Sequence, residues 1–142
     1  MKTLDMAKAM LRQAADRLVT AEAAYSNGNY PYAIRSAQEC VELTLKATLR
    51  AVGVEYPKKH DVSRVLLRVR DRLPPSFPAD DFARISKNLV ELREPAMYGD
   101  ELRMISSSVL FGEKQAGEVL GKARKVHETC AAFIREFGGT EA

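Results

Sequence analysis

Apolar residues return every three or four positions along nearly the whole chain, and no stretch sustains a period of two, so helix is the only regular structure the sequence supports throughout. Over residues 3–27, Leu4, Ala7, Leu11, Ala14, Leu18, Ala21 and Tyr25 make one stripe. Gly28 ends it as a left-handed cap, and Asn29 restarts the chain as an N-cap with Pro31 in the next first turn. A second helix is expected over 30–52, with Ile34, Ala37, Val41, Leu45, Thr48 and Val52 inward, closed by Gly53. A short third helix over 61–72, capped by Asp61 or Ser63, stops at Leu73-Pro74-Pro75-Ser76-Phe77-Pro78, which reads as extended. A fourth begins near 79–81 and buries Phe82, Ile85, Leu89, Leu92 and Ala96, with Pro95 expected to kink or fray it where Arg93 sits. After the break at Gly99, residues 100–105 read as a loop. Ser106 to Ser108 then offer caps for a long fifth helix that ends near Phe137 at Gly138-Gly139. Within it, Gly117 and Gly121 lie one turn apart and would admit a close neighbour.

The fold class expected is therefore all-α, an up-and-down bundle of four to five helices forming a single domain over 1–142, with a disordered tail after about 138. At 142 residues such a domain buries a core without staples. No run of apolar residues is long enough to span a membrane, and the start Met1-Lys2-Thr3-Leu4 has no apolar stretch of the kind a secretory signal needs. Cys40 and Cys130 both fall inside helical patterns, where a cysteine acts as a small hydrophobe, and a reduced cytoplasmic setting is the simplest expectation. No set of His, Cys and carboxylates has metal-ligand spacing, no glycine-rich phosphate loop is present, and neither metal nor cofactor is expected. The net charge of +3 admits a nucleotide or RNA without requiring one. Arg64, Arg68, Arg70 and Arg72, preceded by Lys58 and Lys59, are the nearest thing to a basic patch, and such a run is more often a solvated face.

Three stretches, in order, carry a resemblance. Asn29-Tyr30-Pro31-Tyr32-Ala33 leads into Glu39-Cys40-Val41-Glu42-Leu43-Thr44-Leu45-Lys46-Ala47. His60-Asp61-Val62 follows a proline-containing loop. Leu92-Arg93-Glu94-Pro95-Ala96-Met97-Tyr98-Gly99-Asp100 closes the fourth helix. Together, over roughly residues 3–137, the chain resembles the HEPN family of small helical bundles. That resemblance implies an antiparallel bundle that pairs as a homodimer around a shared cleft. It also implies a minimal nucleotidyltransferase as partner, in a toxin–antitoxin-like system.

Catalytic members of that family are metal-independent ribonucleases with an Arg followed, after four to six residues, by a His. An Arg fork holds the scissile phosphate, and a His, titrating near neutrality, moves the proton. Arg93 matches the Arg of the motif, but the position after a four-residue gap is Tyr98. A free phenol is ionised only to about one part in a thousand at pH 7, so tyrosine is a poor base. The leading expectation is accordingly a binding module for a nucleotide or RNA. The alternative is a ribonuclease using Arg93 and Tyr98, with His60 as a distant substitute for the missing histidine.

Each candidate has a plainer reading. Arg93 would be an exposed helical arginine, Tyr98 an anchor for its loop, and Asp100 a turn residue rather than a ligand group orienting Arg93 or Tyr98; for Asp100 the turn reading is preferred. Arg35, Glu39, Glu42 and Lys46 share one strip of the second helix. They line the cleft in the family reading, and form a solvated face with two four-residue ion pairs in the plainer one. His127, one turn from Ala123 and Cys130, reads as a satisfied core or interface histidine.

Overall fold

The helical stripes fold where their period puts them. The computed structural model describes residues 2–141, and the side chains of residues 3–138. Its order is α1 (Lys2–Ser26), α2 (Tyr30–Ala51), α3 (Ser63–Arg68), a single 3₁₀ turn (Arg70–Arg72), α4 (Ala79–Tyr98), α5 (Ser107–Leu110) and α6 (Glu113–Glu141). Gly28, at φ +79°, makes the left-handed turn between α1 and α2, and the Asn29 side chain accepts from the Tyr32 N–H at 3.4 Å.

Contacts fix the directions. The short turn at 27–29 reverses the chain, so α2 runs against α1. Gly117 lies against Tyr25 and Gly138 against Leu4, so α6 also runs against α1. Arg93 reaches Gln38 and Met97 reaches Arg35, which sets α4 against α2. The four long helices thus alternate up and down. No helix among the described residues is long and apolar enough to cross a membrane.

Helix α2 is the centre, packed on α1, α4 and α6. Its Ile34, Ala37, Val41, Leu45 and Leu49 meet Phe82, Leu89, Leu120 and Val126 in the main core. Leu4, Ala7, Ala47, Ala51 and Ile134 form a second cluster where α1, α2 and α6 meet. The histidine expected to be satisfied is so: His127 Nδ1 lies 3.2 Å from Thr44 Oγ1, and burial lowers the pKa of its ring, against a smaller opposing pull from Glu128.

Four local expectations need correction. The third helix is shorter than 61–72, its last turn tightening to 3₁₀. Helix α4 does not fray at Arg93; it continues through Pro95 to Tyr98 because buried Ala96 anchors the last turn and the Gly99 N–H closes on the Pro95 carbonyl at 2.8 Å. The expected fifth helix is split. Phe111 adopts extended φ −122° and ψ 120°, which turns its ring into the core instead of carrying it outward on a continuous helix. Finally, α6 runs past Gly138-Gly139, and the backbone of 139–141 is helical where a disordered tail was expected; Ala142 lies outside the described residues. Gly138 serves packing instead of capping, since a Cβ there would sit 3.1 Å from Leu4 Cδ2. Of the glycine pair, only Gly117 admits a close neighbour, the Tyr25 ring.

Candidate functional site

The polar strip of α2 is largely covered. Lys46 is buried and Arg35 and Glu42 are mostly so, with Arg93 of α4 and His60 of the 52–62 loop brought onto Glu42, while Glu39 stays partly in water. Glu42 is the hub. Its Oε2 accepts from Lys46 Nζ at 2.8 Å, and its Oε1 accepts from Gln38 Nε2 at 3.1 Å. The same Oε1 lies 2.9 Å from His60 Nδ1 and 4.0 Å from Arg93 Nη1. Gln38 uses both ends of its amide, donating to Glu42 and accepting from Arg93 Nη1 with its Oε1. Burial pushes the Glu42 carboxyl up, but hydrogen bonds from Lys46 and Gln38 and the charges of Lys46 and His60 outweigh it, so the group titrates below the usual carboxylate range.

One turn towards the N-terminus of α2, Glu39 joins two arginines. Arg17 Nε donates to its Oε1 at 3.0 Å, and Arg35 Nε lies 3.4 Å from its Oε2. The second contact is an ion pair without a hydrogen bond, because the buried Arg35 Nε has no acceptor in line. Among the described residues, the one other polar contact of the Arg35 guanidinium is Nη1 to the Met97 sulfur at 3.4 Å, a weak acceptor. Burial, and then the neighbouring Arg35 charge, lower the pKa of the Arg93 guanidinium, while Glu42 and Glu39 act the other way.

These groups border two adjoining hollows. One, of about 370 Å³, is lined by Arg35, His60, Arg93, Glu94, Met97 and Tyr98. The other, of about 200 Å³, is lined by Arg17, Glu39, Glu42, His60 and Arg93. His60 and Arg93 belong to both. The segment that carries His60 is pinned by the Val62 N–H donating to Ser86 Oγ at 3.1 Å and the Ser63 N–H donating to Asp61 Oδ1 at 2.9 Å. With an ionised carboxylate at Nδ1, the neutral imidazole keeps its proton on that nitrogen and presents the Nε2 lone pair. The arrangement can therefore hold an anion between two guanidiniums and accept a proton beside it.

Arg35, Glu39, Glu42 and Arg93 are thus brought together, and both ion pairs expected along α2 form within the site. Lys46 stands behind Glu42, over the Tyr56 ring at 5.4 Å, and positions that carboxylate. Tyr98 is 59% exposed at the rim, its hydroxyl without a hydrogen-bond partner among the described residues. Asp100 is not directed at Arg93 or Tyr98. Its backbone pairs with Ile105 at 2.8 and 3.0 Å, and its Oδ1 accepts from the Arg103 N–H at 3.1 Å, so it closes its own turn. The sequence reading missed Gln38, Arg17 and Met97. Gln38 had a signal, four residues before Glu42 at the strip's edge; Arg17, on another helix, had none.

The sequence model of the HEPN domain matches residues 7–133. This chain belongs to the HEPN family. Two solved structures share the HEPN bundle. The crystal structure of TT1696 from Thermus thermophilus is similar at 25% identity and a TM-score of 0.69, over 92% of this chain and 97% of that one. ST0689, described as an archaeal HEPN homologue, is similar in fold at 23% identity and a TM-score of 0.70, over 90% of this chain and 97% of that one. No curated protein matches the chain. In this HEPN domain, the histidine that borders the hollows with Arg93 comes from the loop after α2.

Proposed function

We propose that the hollow between Arg35 and Arg93 binds the phosphate of a nucleotide or an RNA end without cutting it, in a homodimer that partners a minimal nucleotidyltransferase in a toxin–antitoxin-like system. The observation that carries this reading is Arg35. Its guanidinium has an off-line carboxylate and a thioether for partners and shares a cavity with a second guanidinium. A phosphate oxygen supplies the strong acceptor it lacks and relieves the repulsion between the two cations. Tyr98, exposed on the rim, offers a face on which a base can stack. The homodimer is supported by apolar groups standing in water at the end of α4 and in the segment after it: Met97 at 46% exposure, Leu102 at 98%, Met104 at 88% and Val109 at 76%. The nucleotidyltransferase rests on family resemblance alone.

Calorimetric titration with AMP tests the reading. Arg93→Ala is expected to weaken binding about thirtyfold, since a hydrogen bond to a charged group contributes roughly 2 kcal/mol. Protein that stays monomeric at micromolar concentration and takes up neither nucleotide nor RNA ends the proposal.

One observation favours a second reading, metal-independent cleavage of RNA: His60 and Arg93 border the same hollows. His60 Nε2 would take the 2′-hydroxyl proton as that oxygen attacks phosphorus, with Arg93 on the phosphate oxygens. The departing 5′-oxygen would draw its proton from Tyr98 or water, leaving a 2′,3′-cyclic phosphate and a 5′-hydroxyl. Cleavage that persists in chelator and drops at least a hundredfold in both His60→Ala and Arg93→Ala is the expected result. Equal residual cleavage in wild type and both variants identifies a contaminant.

A further inference from the structure

Outside the site just described, the groove between α3 and α4 contains a further hollow of about 480 Å³, where Arg64, Arg70, Arg84 and Lys87 face Asp61 and Asp80. The two carboxylates are already engaged. Asp80 Oδ1 accepts from Arg70 Nη1 at 3.0 Å, and Asp61 Oδ1 accepts from the Ser63 N–H at 2.9 Å. Arg84 turns to Asp81 at 3.2 Å. Arg64 and Lys87 are exposed, and neither makes an ion pair or hydrogen bond among the described residues. Arg64 and Lys87 thus stand unpaired in a groove where Asp80 is paired with Arg70, and Asp61, held by neutral donors, is the one acid of the lining without an ion pair among the described residues.

This groove meets the Arg93 hollow along two seams. His60 lines one and Asp61, the next residue, lines the other. On α4, Lys87 lines the groove and Val90, one turn on, lines the hollow. Lys87 and Arg93 are six residues apart, on the order of 9 Å along the helix axis. We propose that the α3–α4 groove continues the Arg93 hollow as a track for the backbone of a single-stranded polynucleotide, with Arg64 and Lys87 taking phosphates beyond the first nucleotide. The track rests on the phosphate reading of the hollow and makes that reading more specific: the ligand is a strand and not a mononucleotide. Unpaired cations beside a hollow of about 370 Å³ with an exposed aromatic side chain at its rim match how unstructured strands are held, by charge along the backbone and stacking at a few bases.

The test compares AMP with a dinucleotide, a tetranucleotide and an octanucleotide of adenylate, for wild type, Arg64→Gln/Lys87→Gln and Arg93→Ala. Both track residues are exposed, so the double variant keeps the fold, which circular dichroism verifies. Affinity should climb with length in the wild type. In the double variant, octanucleotide binding should fall on the order of tenfold and its log–log salt slope should flatten by about 1.4, at about 0.7 per lost single-strand phosphate contact, while AMP binding is unchanged. A flat length series, or a wild-type salt slope in the double variant, overturns the track and leaves AMP binding at Arg93 standing. Wild-type protein that binds neither AMP nor oligonucleotide takes down the hollow and the track together. Polyglutamate of matched length that competes as well as the octanucleotide overturns the assignment to a polynucleotide.

Discussion

Glu42→Gln is expected to lower stability by about 3 kcal/mol, which for a domain of this size moves the melting temperature by roughly 8 °C. Glutamine keeps the shape and one acceptor but removes the charge on which the site is assembled. Lys46 is only 8% exposed, and its Nζ is 2.8 Å from the Glu42 carboxylate, so the variant leaves an ammonium without a counter-ion in a place water barely reaches. Gln38, His60 and Arg93 lose the same anchor. Glu39→Gln provides the contrast. That carboxylate lies between Arg17 and Arg35 with a third of its side chain in water, so its loss should cost no more than about 1 kcal/mol. A pH series separates charge from shape. Because Glu42 titrates lower in the folded chain than its ordinary 4.5, its contribution is complete above that value and disappears as the pH falls through the folded one. The gap between wild type and Glu42→Gln, measured by chemical denaturation, should therefore shrink on the acid side. A gap that is constant from neutral pH down to pH 3 would show that the carboxylate charge is not what holds the hub.

What the sequence disclosed and what it withheld separate along this same helix. The period of Ile34, Ala37, Val41 and Leu45 placed α2 and its apolar face, because a stripe at 3.6 residues per turn has one way to bury itself. The opposite strip, Arg35, Glu39, Glu42 and Lys46, read more readily as a solvated face than as the lining of a cleft. Periodicity shows which residues share a face but not what covers that face, and here Arg93 and His60 arrive from elements some twenty to sixty positions away in the chain. The sequence offered His60 as a distant substitute for a histidine at position 98; its contact with Glu42 could not be read there, because the loop's course depends on Ser86 accepting the Val62 N–H. The split at Phe111 was missed for a similar reason. The pattern from Ala116 to Phe137 is helical without a fault, and only the demand of the core for the Phe111 ring breaks the run before it.

Gly99→Ala should be the most damaging of the glycine replacements, costing about 3 kcal/mol. Gly99 sits at φ +73° and ψ −160°, a region essentially reserved for glycine. A Cβ there would overlap the Ile105 carbonyl oxygen and come within 2.9 Å of the Ser107 nitrogen. Both are backbone atoms, so no side-chain rotation relieves the overlap. The carbonyl struck is the acceptor for the Asp100 N–H at 2.8 Å, so the bridge that closes the 100–105 turn must open, and with it the end of α4 that holds Tyr98 at the rim of the hollow. Two other glycines calibrate the effect. Gly28 shares a positive φ, of +79°, but an added Cβ meets nothing within 4 Å, so Gly28→Ala should cost about 1 kcal/mol from backbone strain alone. Gly112 has neither a positive φ nor a close neighbour, so Gly112→Ala should stay within about 0.5 kcal/mol of wild type. Denaturation of the three variants gives the order. Amide exchange at Asp100 and Ile105, expected to quicken only in Gly99→Ala, locates the damage. If Gly99→Ala were as stable as Gly112→Ala, the 100–105 turn would not be what fixes Tyr98 at the site.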